Sequence, residues 1–393
     1  MARRVNEERQ AWIALASVDR VGPATFARLV AAFGTTRAVL DAALTGSLPA
    51  ALREREAAAR GEPASELPDP LVAAIVAGAR EAGRHAAILA RLGVEAVTWR
   101  DASYPGRLRG LDDAPPVLFV RGAVEALSRP CSVAVVGTRR ATPAGRSFAG
   151  AVGAAIASCG AAVVSGLAFG IDAAAHAAAV EVAGITVAIL GSGHGALTPR
   201  AHRHLAEAIV HAGGAVISEL AADAHPTKGT YPRRNRLIAG LADAVIVVEA
   251  PARSGALNTA YWAATLGRDL YVVPGRPWEP ATAGCVALLH DVPGSRPVLD
   301  VPTLLGDLAL VDVPLARTSG RPGLEAVLVG LSRTESAVAR QLRRGPASPD
   351  RLAQLCGLPV EQVASGLGLL ELRGYAWSSG PLYFAGGPLR DAR

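Results

Sequence analysis

The residues that could do chemistry in this chain stand in short clusters, each at the end of a short apolar run. Gly137-Thr138-Arg139-Arg140 follows the run Ser132–Val136, and Thr142-Pro143 then opens a helix. A glycine permits a tight turn, and a helix N-terminus offers unpaired N–H groups and the positive end of a dipole. Two arginines add charge and forked donors. This is the composition of a phosphate site, though it is neither a Walker A loop nor G-x-G-x-x-G. The run Ala161–Ser165 ends in Ser165-Gly166-Leu167-Ala168-Phe169-Gly170-Ile171-Asp172 and leads to His176. Gly166 and Gly170 bring the backbone close to a neighbour, and Asp172 can cap the next helix. His176, beside an Ala-rich face, reads as a structural histidine rather than a base. No second carboxylate and no Cys or Ser nucleophile stands at a telling spacing.

Gly191-Ser192-Gly193-His194-Gly195 follows Thr186–Leu190. Its third glycine is one position early for a dinucleotide fingerprint, and it follows the third run rather than the first, so neither NAD nor FAD is expected and no cofactor is implied. Ala215–Ser218 is followed by Glu219 and then by His225-Pro226-Thr227-Lys228-Gly229-Thr230-Tyr231-Pro232-Arg233-Arg234-Asn235-Arg236. Cations beside a stacking ring suit single-stranded nucleic acid, because charge follows the backbone while a ring stacks under a base. The plain alternative is a solvated basic loop. Ala244–Glu249 leads to Arg253-Ser254-Gly255 and Asn258-Thr259, and Asp269–Val273 leads to Pro274-Gly275-Arg276. Each cluster favours an anion, and none supplies an acid–base pair. That points to binding more than catalysis.

The six runs are the elements that must position these clusters. They are short, rich in Val and Ile, and apolar on both faces, and they alternate with Ala-rich helical stretches, as central parallel strands do. They predict an α/β, doubly wound, Rossmann-like, mostly parallel sheet, whose ligands sit at the carboxyl ends of the strands.

With 393 residues the chain has room for two to three domains. Residues 1–100 read as helical, with Ala11–Ser17, Pro23–Phe33 and Leu71–Leu92 at helical spacing. Val21-Gly22-Pro23 starts the second helix and Gly34 is placed to cap it. This is half of a helix-hairpin-helix pattern. Ala51–Pro70 reads as a solvated connector, and 277–320 as irregular chain followed by a linker. Ser348–Cys356, Gly357-Leu358-Pro359 and Val360–Leu372, followed by a hairpin, form a winged-helix pattern. The recognition helix carries Glu361, Gln362, Glu371 and Arg373, which suits a protein contact at least as well as DNA.

Composition narrows the class. Half of the residues are hydrophobic and 19% are charged, enough for a packed core and against wholesale disorder. Cys131, Cys159, Cys285 and Cys356 form no C-x-x-C pair, which argues against a disulfide scaffold and the usual zinc spacings and for a reducing cytoplasm. Ser147–Ile171 is free of charge, but it is Ala- and Gly-rich and interrupted by turns, so no membrane span is expected. The first ten residues lack a signal-peptide core. A net charge of +6 fits a polyanion partner. Lysine occurs once, at Lys228, among 40 Lys and Arg residues.

Taken together the motifs resemble the DprA/Smf family (DNA-processing protein A). The resemblance rests on Tyr104-Pro105…Leu108, Pro115-Pro116-Val117-Leu118, Gly137-Thr138-Arg139, Ser165-Gly166-Leu167-Ala168…Gly170-Ile171-Asp172…His176, Pro232…Arg234-Asn235-Arg236, Ser254-Gly255 and Pro274-Gly275, in the family's order. It implies a SAM/helix-hairpin-helix-like domain at 1–100, a Rossmann-like domain at 101–300, a linker at 301–322 and a winged helix at 323–393. The family binds single-stranded DNA, loads a RecA-type recombinase on it, displaces single-strand-binding protein, acts in natural transformation as a homodimer, and is not known as an enzyme. The resemblance places DNA contacts at Arg139, Lys228 and Tyr231. The full expected contact set is Gly137, Thr138, Arg139, Arg140, Ser165, Gly166, Gly170, Lys228, Tyr231, Arg234, Asn235, Arg236, Ser254 and Gly255. The third loop departs from the family's Asp…Tyr-Pro…Asn, having Gly195, Thr198-Pro199 and His202, and Gly284-Cys285-Val286 lacks an expected Asn. The competing class is a phosphoribohydrolase-like enzyme acting on a nucleotide at the same loops, but its P-G-G-x-G-T-x-x-E string is absent. A winged-helix transcription factor is disfavoured by the weakly basic recognition helix.

Overall fold

The computed structural model describes residues 2–60, 66–276, 278–310, 324–328, 330–373, 375–379, 382–386 and 389. The chain packs as two units, Met1–Val311 and Asp312–Arg393.

The first unit is built on a nine-stranded sheet. Its strands are β1 (Glu95–Thr98), β2 (Val117–Gly122), β3 (Ser132–Val136), β4 (Ala162–Ser165), β5 (Thr186–Ile189), β6 (Ala215–Ser218), β7 (Ala244–Val247), β8 (Asp269–Val272) and β9 (Arg296–Pro297). The order is β1-β2-β6-β5-β4-β3-β7-β8-β9. β1–β2 and β2–β6 pair antiparallel, and the remaining pairs are parallel. The six expected strands are present. β1, β2 and β9 extend the sheet at its two sides. Strand order reverses at β3, which has β4 on one side and β7 on the other. A crevice opens at such a reversal.

Both faces of the sheet are covered, and alternation within β3 shows how. Ala134 and Val136 join one apolar cluster with Leu237, Ile238, Ala260 and Ala263 from the helices Thr230–Leu241 and Gly255–Thr265. Val133 and Val135 join the opposite one, with Val152, Ile156 and Ala175 from Pro143–Ser158 and Ile171–Glu181. Successive side chains of a strand point to opposite faces, so a strand buried on both sides must be apolar throughout.

Among the described residues six helices precede β1: Ala2–Ala16, Pro23–Phe33, Thr36–Leu44, Leu48–Arg60, Asp69–Arg80 and Ala82–Arg91. They bury Trp12, Phe26 and Leu29 against Val117 and Phe119 of β2. Pro23 sits in the first turn of its helix, and the Gly34 N–H closes it on Val30 at φ 79°. Two expectations change here. The Ala51–Pro70 connector is helical through Arg60, because Glu56 is buried and accepts both Arg28 Nε and Nη2 at 2.8 Å. The single helix over Leu71–Leu92 breaks at Glu81 (φ −99°, ψ 6°), and both halves pack on Ala2–Ala16.

Within 277–320 the chain is more regular than expected. Ala283–Asp291 and Val301–Asp307 are helices, the second capped by Asp300 and burying Leu304. The rest of the expected linker, 311–322, lies outside the described residues.

The second unit holds the helices Leu324–Leu328, Arg333–Leu342, Pro349–Cys356 and Val360–Leu372, then the antiparallel hairpin β10 (Ala376–Ser379) and β11 (Leu382–Ala385). Ser332 and Glu335 form a capping box. Gly357 ends the third helix in the left-handed region at φ 64°, which turns the chain into the recognition helix. This is a winged helix around Val338, Leu352, Val363 and Leu367. Among the described residues no helix is long and apolar enough to cross a membrane.

Candidate nucleic-acid interface

A groove of about 320 Å³ opens at the carboxyl ends of β3 and β7, where strand order reverses. Four segments line it, one of them the chain after β4, which contributes Ala168 and Asp172. The loop after β3 contributes Gly137, Thr138, Arg139 and Arg140. The helix Thr230–Leu241 contributes Tyr231, Arg234 and Asn235. The segment after β7 contributes Arg253, Ser254, Gly255, Asn258 and Thr259.

Glu249 fixes the first segment. Its backbone carbonyl accepts the Thr138 N–H at 2.7 Å, and its buried carboxylate accepts the Thr142 N–H at 3.0 Å and hydroxyl at 2.5 Å. Thr142 in turn accepts the Gly145 N–H and caps the helix Pro143–Ser158. Ser254 caps Gly255–Thr265 the same way through Ala256. Two helix N-termini are thus held beside the groove, favouring anions. Arg139 and Arg140 project into solvent from the pinned loop. The Arg139 guanidinium lies 4.8 Å from the Tyr231 ring centroid, a cation–π pair.

The basic cluster of the sequence is not one surface. From Thr230 it is helical, and helical phase divides it. Tyr231, Arg234, Asn235 and Ile238 face the groove. Arg233 and Arg236 turn toward Glu219. Arg236 is therefore a correction. Its side chain is 1% exposed and donates to Glu219 at 2.8 and 2.9 Å and to Asp113 at 2.6 Å, so it has no free face for DNA.

Arg234 forms the groove floor. It is buried and donates to the carbonyls of Gly166 (2.7 Å) and Ile189. Burial pulls its guanidinium down to about 10, against the pull of Asp172. Asp172 accepts the Gly166 and Ala168 N–H groups at 3.1 and 3.3 Å, and burial raises its carboxyl above the ordinary range while Arg234 opposes that. A side chain at Gly166 would overlap this guanidinium, and one at Gly170 (φ 81°) would overlap the Thr138 carbonyl. Ser165 is fully buried and donates its hydroxyl to Val135 at 2.6 Å. The buried Ser165 and Gly166 are thus corrected from contacts to parts that lie under the floor, while the half-buried Gly170 packs on the loop that carries Arg139.

Lys228 is exposed in a turn closed by Thr227 and Thr230, outside the groove lining. Arg253, Asn258 and Thr259 line the groove but were left out of the contact set, although their place after the fifth run was the available signal. His176 is buried, with Nδ1 2.6 Å from the Thr186 hydroxyl, and burial depresses its imidazole to about 3. It holds the fold and has no path to a substrate.

The chain matches three family models: DNA recombination-mediator protein A over residues 95–305, the DprA winged helix domain over 323–378, and the DprA-like N-terminal HHH domain over 6–67. It is 32% identical over 303 residues to Protein Smf of Synechocystis sp., covering 70% of this chain and 75% of that one. Its fold is similar to DNA processing protein A (DprA) of Streptococcus pneumoniae, with a TM-score of 0.52 and 31% identity over 68% of this chain and 95% of the other. It is also similar to DNA processing protein A of Helicobacter pylori, a protein with a unique single-stranded DNA binding mode, at a TM-score of 0.50 and 27% identity, covering 56% and 97%. Matches across the sheet, the front helices and the winged helix together place this chain in the DprA/Smf family of DNA-processing proteins.

Proposed function

We propose that this protein binds single-stranded DNA without reading its sequence. The observation that carries the reading is the Arg139–Tyr231 pair in a groove rimmed by Arg140 and Arg253. Phosphates find charge and helix N-termini there, and a base finds a ring face. Duplex DNA keeps its bases stacked on one another and offers the ring nothing. The single-strand binding of the Helicobacter pylori relative supports the same reading.

The protein acts as a binder rather than an enzyme. The carboxylates nearest the groove, Glu249 and Asp172, are committed to backbone N–H groups and to the Thr142 hydroxyl. As in its family, it works in the cytoplasm as a homodimer. There it takes over strands from single-strand-binding protein and loads a RecA-type recombinase on incoming DNA in transformation. The test is a titration of labelled oligo-dT and the matching duplex across a salt series. Tight, salt-sensitive, single-strand-selective binding is expected. Equal affinity for both forms at matched salt would overturn the reading and reopen a nucleotide-directed enzyme.

A further inference from the structure

One aromatic side chain beside the groove has no part in it so far. Phe169 is 47% exposed, in the loop after β4. Ala168, before it, lines the groove. Gly170, after it, packs against the carbonyls of Thr138 and Arg139. Phe169 therefore stands one residue from the groove lining, with its ring exposed.

It is also held in place. Its centroid is 4.6 Å from that of His202, at an interplanar angle of 64°. His202 Nδ1 is 2.8 Å from the Leu167 carbonyl, so the imidazole is tied to the loop that carries Phe169. His202 belongs to the segment after β5, in which Gly191 packs against the Tyr231 ring. The same loop cluster thus braces both aromatic pairs, Arg139–Tyr231 and Phe169–His202. Arg200 and Arg203 flank His202 and are exposed.

We infer that Phe169 is a second base-stacking platform, on which a single strand leaving the Arg139–Tyr231 groove lays its next bases, with Arg200 and Arg203 beside its phosphates. The inference rests on the single-strand reading above. A braced ring presents its face with little ordering cost. Every base has a π-face, so the step adds affinity without sequence preference. The exposed Arg200 and Arg203 of the segment that carries His202 supply the charge the backbone needs on leaving the groove.

The experiment uses the full-length protein and oligo-dT of about 4 and about 16 nucleotides, the span of single-strand site sizes. Wild type is compared with Phe169→Leu, Phe169→Trp and the pair Arg200→Ala/Arg203→Ala, with thermal midpoints confirming that each is folded. Phe169→Leu should bind the long strand about fivefold or more weakly, the loss of one stacked base. It should bind the short strand as wild type does and occlude a shorter length, and Phe169→Trp should restore both. The arginine pair should lower the salt slope on the long strand alone. A Phe169→Leu protein that matches wild type on both lengths overturns the proposal. So does an equal loss on both lengths, which would make Phe169 a shaper of the first groove. Wild type that binds neither length overturns the single-strand reading itself.

Discussion

The Arg139 guanidinium stands 4.8 Å from the centre of the Tyr231 ring, and the two side chains come from elements more than ninety positions apart in sequence. Arg139 is carried by the loop that Glu249 pins after β3, and Tyr231 by the first turn of Thr230–Leu241. If this pair holds a nucleotide, Tyr231→Ala should cost about 1–3 kcal/mol of single-strand affinity. Tyr231→Phe should cost little, since the ring face does the stacking. Arg139→Ala should lower the salt slope by about one. Oligo-dT titrations at several salt concentrations measure all three, and unchanged affinity in Tyr231→Ala would exclude the ring as a platform.

Arg236 should behave as part of the fold. Removing it as Arg236→Met leaves Glu219, 5% exposed, without its main partner. Breaking a buried ion pair from one side costs about 3–5 kcal/mol. Urea denaturation should show that loss, while the folded fraction keeps the wild-type salt slope. A variant of wild-type stability with weakened DNA binding would return Arg236 to the contact surface.

Lys228 tests how far the strand reaches beyond the groove. It is exposed and outside the lining. As a phosphate contact it should be worth about one unit of salt slope, with affinity lost almost uniformly across sequences. Titration of Lys228→Ala against mixed-sequence oligonucleotides reads both quantities. An unchanged slope would confine the interface to the groove.

Stability should fall on mild acidification. Burial depresses His176 to about 3 and His194 to about 4, whereas in an unfolded chain both titrate near 6.5. Below about pH 6.5 the unfolded chain therefore binds more protons than the folded one. The stability from keeping both imidazoles neutral is complete above that pH and is lost as pH falls toward the folded values. Asp172, whose carboxyl burial raises, works in the opposite direction. The clean comparison is therefore wild type against His176→Asn. The urea midpoint of wild type should drop between about pH 7 and pH 4.5, and the variant should show a shallower drop. Equal slopes would mean that His176 does not carry the effect.

Much of the fold was legible because parallel strands announce themselves locally. Val133–Val136 and Ala244–Val247 are apolar at every position, and only a strand covered on both faces needs that. β1 and β2 were harder to read. They pair antiparallel at one side of the sheet, and β2 owes its burial to the front helices as much as to the sheet. The helix Leu48–Arg60 was hidden by its many charges, because its stability depends on the distant Arg28 meeting Glu56. For the site, the loops were legible from their place after each apolar run. The roles of neighbouring residues within them were not.

The sequence by itself determined the sheet, its edge of anion-favouring loops and the family, because strand patterning and turn chemistry are local properties of the chain. Only the tertiary structure decided which cations face a ligand. Arg234, Asn235 and Arg236 are consecutive, yet one floors the groove, one lines it and one is buried against Glu219 and Asp113. Helical phase turns each successive side chain by about 100°, and the partner each meets comes from a distant part of the chain.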